Sequence, residues 1–350
     1  GTELVRMTPR FNPEVNSYWM CDIGRFDFRW VEGDNRLRKP LLRQGGSLNP
    51  MGWHDVEPRL REALEVAGGA DPMSVRFLVS AHASNEELFV LKELVTGLQG
   101  PEGVAAVTVS WKHTPKAQPP GTKFVVSATD APNVNGARDL GFATGAGNGS
   151  APDLSALQRA VYAGQVRLLY VIDPGPGGSV GDMEWIIDAR QKGDIATLIV
   201  QAVENSALSA AADIVLPGAA WVEKDALYTN DRGMVQASSR TIAPPGEARE
   251  DWLILTAVGR SLGLSLGYQA TVEVRRAIAA ALPGGPYAEA EQLAFARPVP
   301  ATTWMQASNP SERWKWDFMY QDLPPVKGHS VQTEGMAADG RRAIALTPVK

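Results

Sequence analysis

The sequence predicts an α/β protein with doubly wound, mostly parallel sheets and an irregular C-terminal arm. Three observations carry that expectation. Residues 166–172 form a nearly continuous apolar run, the mark of a strand buried on both faces. From Ser74 onward, short β-branched runs alternate with segments of helical periodicity. Beyond Phe295 the prolines at positions 298, 300, 310, 324 and 325 preclude long regular elements.

The elements follow in order. Residues 74–80 read as a strand, and Ser84-Asn85-Glu86-Glu87 then forms a capping box that starts a helix. Leu88, Leu91, Val95 and Leu98 recur at helical spacing until Gly100-Pro101 ends the pattern. Residues 104–111 and 123–127 read as two more strands, parted by the turn-rich stretch 116–121. After the glycine-rich segment 141–149, Asp153 caps a helix with Leu154, Leu157 and Val161 on one face, closed by Gly164.

The strand at 166–172 feeds a Gly/Pro loop at 173–181 and a helix containing Trp185, Ile186 and Ala189. Residues 197–203 are the next strand, followed by an Ala-rich helix at 206–212 and a strand at 213–217. Two more helices are expected at 248–263, with Leu255, Val258 and Leu262 inward, and at 271–282, with Val274, Ile278 and Ala281 on one face. Length suggests roughly two domains; the sequence divides into residues 1–70 as a linker segment, 71–295 as the α/β region and 296–350 as an extended arm and tail.

Composition excludes several classes. Lys plus Arg number 34 against 39 Asp plus Glu, with no basic run to serve as a nucleic-acid or anionic-lipid footprint. No apolar stretch approaches the ~20 residues that cross a bilayer, so any membrane association is expected through partners. The start Gly-Thr-Glu reads as a processed or cut end. One cysteine, Cys21, excludes an internal disulfide and fits a reducing compartment. Asn148-Gly149-Ser150 has a glycosylation pattern, but its setting reads as a Gly-rich loop.

Few residues point to chemistry. His54, His82, His113 and His329 fall at no ligand spacing, and there is no phosphate-loop or Gly-x-Ser-x-Gly pattern. The best ligand candidate is the loop 173–182, centred on Gly177, which leaves a buried strand and opens a helix where free amides favour anions. Its other reading is a tight connection that needs glycine for its backbone angles. Asn133 and Asn135, in the polar turn 130–137, could donate to a ligand or brace an Asx turn. Cys21, in Trp19-Met-Cys-Asp-Ile-Gly-Arg25, is a small hydrophobe or a lone ligand; the turn after it suits a surface edge with the thiol outward.

Together these runs resemble a known family. Residues 10–25, with Asn35-Arg-Leu37 and Pro40, look like the segment following the iron–sulfur region in the large iron–sulfur subunit of NADH:quinone oxidoreductase, respiratory complex I. Residues 213–224, Tyr228-Thr-Asn230, Gly233, Gln236 and residues 244–252 resemble the wider molybdopterin oxidoreductase superfamily. The resemblance implies that superfamily's paired α/β layers, and a non-catalytic scaffold supporting electron transfer from NADH to quinone. It implies partners among the other subunits of the peripheral arm, on the cytoplasmic side of the inner membrane. In catalytic relatives, loops resembling those around Ser84, Asn133 and Gly177 grip a pterin dinucleotide; this chain offers no obvious metal ligand, so a vestigial pocket without molybdenum cofactor is expected. In some relatives a cysteine matching Cys21 completes a [4Fe–4S] cluster with three upstream. The alternative is a catalytic molybdopterin oxidoreductase such as a formate dehydrogenase subunit. Residues 304–320, rich in aromatic rings without periodicity, are expected to form an arm on this chain's surface or on a neighbouring subunit, or to plug the edge of its own core.

Overall fold

The computed structural model describes residues 3–9, 12, 14–16, 20–118, 120–121, 127–144 and 149–293. The expected strand at 123–127, save its last residue, residues 145–148 of the 141–149 segment and the aromatic segment at 304–320 lie outside the described residues. Residues 30–293 belong to one compact unit and residues 4–29 to a second. Within the second, Asp22–Phe26 is a short helix, α1.

The larger unit is built on a seven-stranded sheet. In chain order its strands are β1 (Leu41–Gln44), β2 (Ser47–Pro50), β3 (Val75–Ser80), β4 (Val107–Ser110), β7 (Leu168–Asp173), β8 (Thr197–Ala202) and β9 (Ile214–Pro217). Two ribbons stand apart, β5 (Lys112–His113) with β6 (Thr129–Asp130), and β10 (Ala226–Thr229) with β11 (Val235–Ser238). The sheet order is β2-β1-β9-β8-β7-β3-β4, with β9 through β4 parallel and β1 antiparallel to β9. The α/β fold with a mostly parallel central sheet is thus the one the apolar runs predict.

Period-two alternation sends successive side chains of each strand to opposite faces. Leu78, Leu169, Val171, Leu198, Val200 and Val215 pack with α5 (Ser155–Tyr162), α6 (Glu184–Lys192) and α7 (Ala207–Ala211). Phe77, Val79, Leu168, Tyr170 and Ile172 face the other way. Their partners are α2 (Trp53–Gly68), α3 (Asn85–Gln99), α8 (Asp251–Ser261) and α9 (Thr271–Ala281). A short helix, α4 (Val134–Asp139), follows the polar turn at Asn133.

Several boundaries move for identifiable reasons. The expected strand from residue 104 begins only at Val107, because residues 101–106 make a 3-10 turn that brings Gly103 against α3. A Cβ on Gly103 would stand 2.2 Å from the Val95 carbonyl oxygen, so the approach demands glycine. The helix expected from residue 248 begins at Asp251, since the Arg249 amide is spent on the Pro217 carbonyl. Asp153 sits one residue too early to cap α5; its carboxylate accepts from the Ser155 amide. Residues 41–68, where the sequence pattern predicts no elements, form a Gly45-Gly46 hairpin and the amphipathic helix α2. Both glycines have positive φ, as a two-residue hairpin turn requires.

Candidate functional site

The parallel strands reverse their order of addition at β3. From β3 the chain moves outward to β4, then returns to β7 on the opposite side and continues through β8 to β9. Ligands of open α/β sheets bind outside the carboxyl ends of the strands at such a switch point. Here that point lies above Ser80 and Asp173, where β3 and β7 end side by side.

The three loops singled out from the sequence do meet there. Asn133 donates its side-chain amide to the Ala83 carbonyl at 2.7 Å, and its backbone amide to the Ala81 carbonyl at 3.0 Å. The hydroxyls of Ser80 and Ser179 lie 2.7 Å apart, joining the β3 loop to the loop around Gly177. Ser179 in turn donates to the Asp173 carboxylate, which leaves it to accept from Ser80. The Ser80 hydroxyl oxygen also lies 3.3 Å from His82 Nδ1.

These polar groups face inward. Ser80, Ser84 and Asn133 are at most 1% exposed, and Ser179 and Asp173 are buried. Burial pushes the Asp173 carboxyl up to about 7, against the pull of the Ser179 hydroxyl and the Gly178 amide. Burial also pushes His82 down to about 4, only partly opposed by Asp130 and reinforced by Lys224. At neutral pH its imidazole is therefore uncharged.

Ser84 performs the capping expected of it. Its hydroxyl accepts from the Glu87 amide at 3.2 Å, and the Glu87 carboxylate accepts from the Ser84 amide at 2.8 Å. Asn133 and Asn85 share a further bond at 2.9 Å. Where Gly136 passes this pair, a Cβ would meet Asn85 Oδ1 at 2.1 Å and Asn133 Oδ1 at 2.3 Å, so only glycine fits. Gly177 is exposed, and its amide donates to Glu204 Oε2 at 2.7 Å. Asp182 accepts from the Glu184 amide at 3.0 Å as a brace to α6. The Asn135 amide is spent on the Asn230 carbonyl.

Sequence reasoning missed the charges beneath. Lys224, 1% exposed, is clasped by Glu87 and lies 3.3 Å from Asp251. Burial alone would depress its ammonium, but the two acids outweigh that and hold it above the usual lysine range. With two carboxylates sharing one lysine, burial pushes the Glu87 carboxyl upward. Beside them Arg275 pairs with Glu86 at 2.6 Å, and Arg36 makes a two-pronged contact with Glu223 at 2.8 Å on each prong. Gln201 bridges the set to the sheet, donating to Asp251 and accepting from Tyr170, each at 2.7 Å. The available signal was the pair Glu223-Lys224 in the stretch that follows the apolar strand ending at Pro217.

A cavity of about 470 Å³ opens beside the Asn133 turn, lined by Thr129, Pro132, Asn135, Tyr228, Asn230 and Gln236 among others, with no Lys or Arg among its described lining residues. Cys21 is exposed; its sulfur accepts from the Gly24 amide at 3.3 Å and so caps α1. Among the described residues no cluster of three His, Cys, Asp or Glu side chains could hold a metal. No helix among them is long and apolar enough to cross a membrane.

Known proteins share this architecture in part. Residues 104–261 match the family described as molybdopterin oxidoreductase. That stretch of the chain is therefore similar to the molybdopterin oxidoreductase family. NADH-quinone oxidoreductase subunit 3 of Thermus thermophilus is 37% identical to it over 99 residues, 28% of this chain and 12% of that protein. F420-dependent formate dehydrogenase subunit alpha of Methanocaldococcus jannaschii is 36% identical over 98 residues, 28% of this chain and 14% of that one. The matches therefore span a small part of the relatives' own length. Acetylene hydratase from Pelobacter acetylenicus superposes on 70% of this chain and 64% of its own with a TM-score of 0.44 and 9% identity, too loose a likeness to carry an argument.

The buried cations near the switch point are all engaged within the protein: Lys224 lies between two acids, and Arg36 and Arg275 are each held by a glutamate. The loop 173–182 holds two aspartates and no base. Like charge there repels an anion.

Proposed function

We propose that this chain is a non-catalytic scaffold region of the large iron–sulfur subunit of an NADH:quinone oxidoreductase. The relatives by themselves leave two readings level, because the NADH-quinone oxidoreductase subunit and the formate dehydrogenase subunit match with nearly equal identity over nearly equal lengths. One observation favours the scaffold. At the switch point the polar side chains are buried and already bonded within the protein, Ser80 to Ser179, Ser179 to Asp173, and Asn133 to the Ala83 carbonyl. Opening them would leave buried donors and acceptors unmade, at about 1–3 kcal/mol for each.

In this role the α/β region supplies a rigid body that other subunits of the peripheral arm dock against, and the assembly reaches the membrane through those partners. The exposed thiol of Cys21 is the one cysteine available as fourth ligand to a [4Fe–4S] cluster, the other three coming from sequence outside this chain. The competing reading, a catalytic molybdopterin oxidoreductase acting on formate, rests on the formate dehydrogenase relatives. Elemental analysis with oxidised-pterin fluorescence on the purified assembly separates the two. The scaffold predicts neither molybdenum nor tungsten assigned to this chain; stoichiometric metal with pterin overturns it.

A further inference from the structure

Where β3 and β7 end, four side chains are joined in a row, three of them buried and the last, His82, half-buried. The Asp173 carboxylate accepts from the Ser179 hydroxyl, the Ser179 and Ser80 hydroxyls lie 2.7 Å apart, and Ser80 Oγ lies 3.3 Å from His82 Nδ1. Close packing holds the row in place. A Cβ on Gly175 would stand 2.6 Å from Ser179 Oγ and 2.7 Å from His82 Cγ, so the loop backbone lies against both side chains. Ser80 Oγ is fixed further by the His82 backbone amide, which donates to it at 3.2 Å. The other ring nitrogen, Nε2, has no hydrogen-bond partner among the described residues.

Each hydroxyl in the row has one hydrogen to give and lone pairs to accept with, so the direction of the whole row is set at its ends. An ionised Asp173 can only accept. Ser179 then donates to it, Ser80 donates to Ser179, and Ser80 is left to accept a hydrogen from His82 Nδ1. A protonated Asp173 donates along the same line. Ser179 then donates to Ser80, Ser80 donates to a bare Nδ1, and the neutral ring carries its hydrogen on Nε2. The ring stays neutral in both states because burial disfavours its charge, with Asp130 opposing and Lys224 assisting. At the other end, burial favours the neutral carboxyl against the Ser179 hydroxyl and the Gly178 amide, and the acids Glu204 and Asp251 act with burial.

We infer that Asp173, Ser179, Ser80 and His82 form a proton wire, which serves the buried carboxyl through the ring and records its state there as the ring's tautomer. When the carboxylate is protonated, Nε2 takes one proton from solvent and Nδ1 passes its own to Ser80. Ser80 passes its hydrogen to Ser179, and Ser179 passes its hydrogen to Asp173. One proton enters and one O–H bond forms on the carboxyl. Each hydroxyl ends with the one hydrogen it began with, and the ring ends neutral. The Nε2 edge of His82 thereby changes from hydrogen-bond acceptor to donor, a difference that a partner at this crevice can read. The wire goes beyond the scaffold reading and does not depend on it.

The test is nitrogen-15 labelling of the histidine side chains in the full chain, reading by magnetic resonance which nitrogen of His82 carries hydrogen. The titration runs from about pH 5 to about pH 9, which brackets the Asp173 value of about 7 and stays above the His82 value of about 4. In the wild type the hydrogen should pass from Nε2 to Nδ1 as pH rises through about 7. Ser179→Ala cuts the wire while leaving both ends in place, and should hold a single tautomer across the range; Ser80→Ala is a second cut with the same expectation. A wild-type tautomer that stays fixed would overturn the wire without recourse to any variant. So would a cut variant that passes through the same change as the wild type. Metal and pterin content is read separately, so failure of the wire and failure of the scaffold reading are distinct results.

Discussion

The two faces of the sheet are built on different principles. Beneath α5, α6 and α7 the middles of the strands offer aliphatic side chains, among them Leu169, Leu198 and Val200, each at most 1% exposed. On the opposite face Tyr170 stacks on Phe77 with centroids 5.7 Å apart and donates to Gln201. The Glu87–Lys224–Asp251 cluster follows directly beyond. Aliphatic burial is non-directional and tolerates repacking of equal volume. A buried ion cluster is directional, and removing one partner strands the others without compensation. The first face supplies cohesion; the second fixes where the strand-end loops stand.

The same replacement residue on both faces makes the contrast measurable. Lys224→Met keeps the bulk but leaves Glu87 and Asp251 buried without their counter-charge, and should cost about 3–5 kcal/mol. Leu198→Met, a volume-conserving change on the aliphatic face, should cost less than about 1.5 kcal/mol. Urea unfolding with unchanged slope reads both. Equal losses would dissolve the distinction.

A middle-sized effect concerns pH. Asp173 has its folded value raised to about 7 from an ordinary 3.8, so the folded state holds the extra proton. Its contribution to stability is complete below the ordinary value and is lost as pH rises through about 7. His82, depressed to about 4 from 6.5, works in the other direction and loses its contribution as pH falls through that interval. The two partly cancel in the wild type, so the informative quantity is a difference. Asp173→Asn should gain on the wild type between pH 4 and 7 by roughly 1.4 kcal/mol per pH unit at most. Parallel stability curves for the two proteins would mean that Asp173 titrates as an ordinary carboxyl.

The smallest effect tests whether the cap and the ion cluster act separately. Ser84→Ala removes the hydroxyl that accepts from the Glu87 amide and should cost about 1 kcal/mol in thermal melting. A loss several times larger would mean that the cap and the Lys224 clasp form one cooperative unit.

The contrast also explains what was legible. The strands β3, β7, β8 and β9 announce themselves because burial on both faces leaves no polar positions to blur the pattern, and the capping box at Ser84 is local by nature. Pairings such as Glu87 with Lys224, or Glu86 with Arg275, join positions 137 and 189 apart, which no local pattern encodes. The loop around Gly177 was visible as an anion-seeking element, but its partner Glu204 is 27 positions away and arrives only through the register of β7 with β8. The hairpin at 41–50 was legible in principle from Gly45-Gly46, yet its strands are too short to show alternation. Helix α2 carries Pro58 within a regular apolar stripe of Val56, Leu60 and Leu64, and the proline masks that stripe.

That hairpin sets an order of events. Leu42 pairs with Ile214, so the strand near the beginning of the chain finds its neighbour only after β3, β4, β7 and β8 have been made. Closing so long a loop carries an entropic cost that grows only slowly with length, but the search for the pairing is slow. Until then β9 presents an unpaired edge, the kind of surface on which chains aggregate. Residues 41–50 therefore cover the β9 edge, and a chain truncated of them would be vulnerable at β9 even with its core complete.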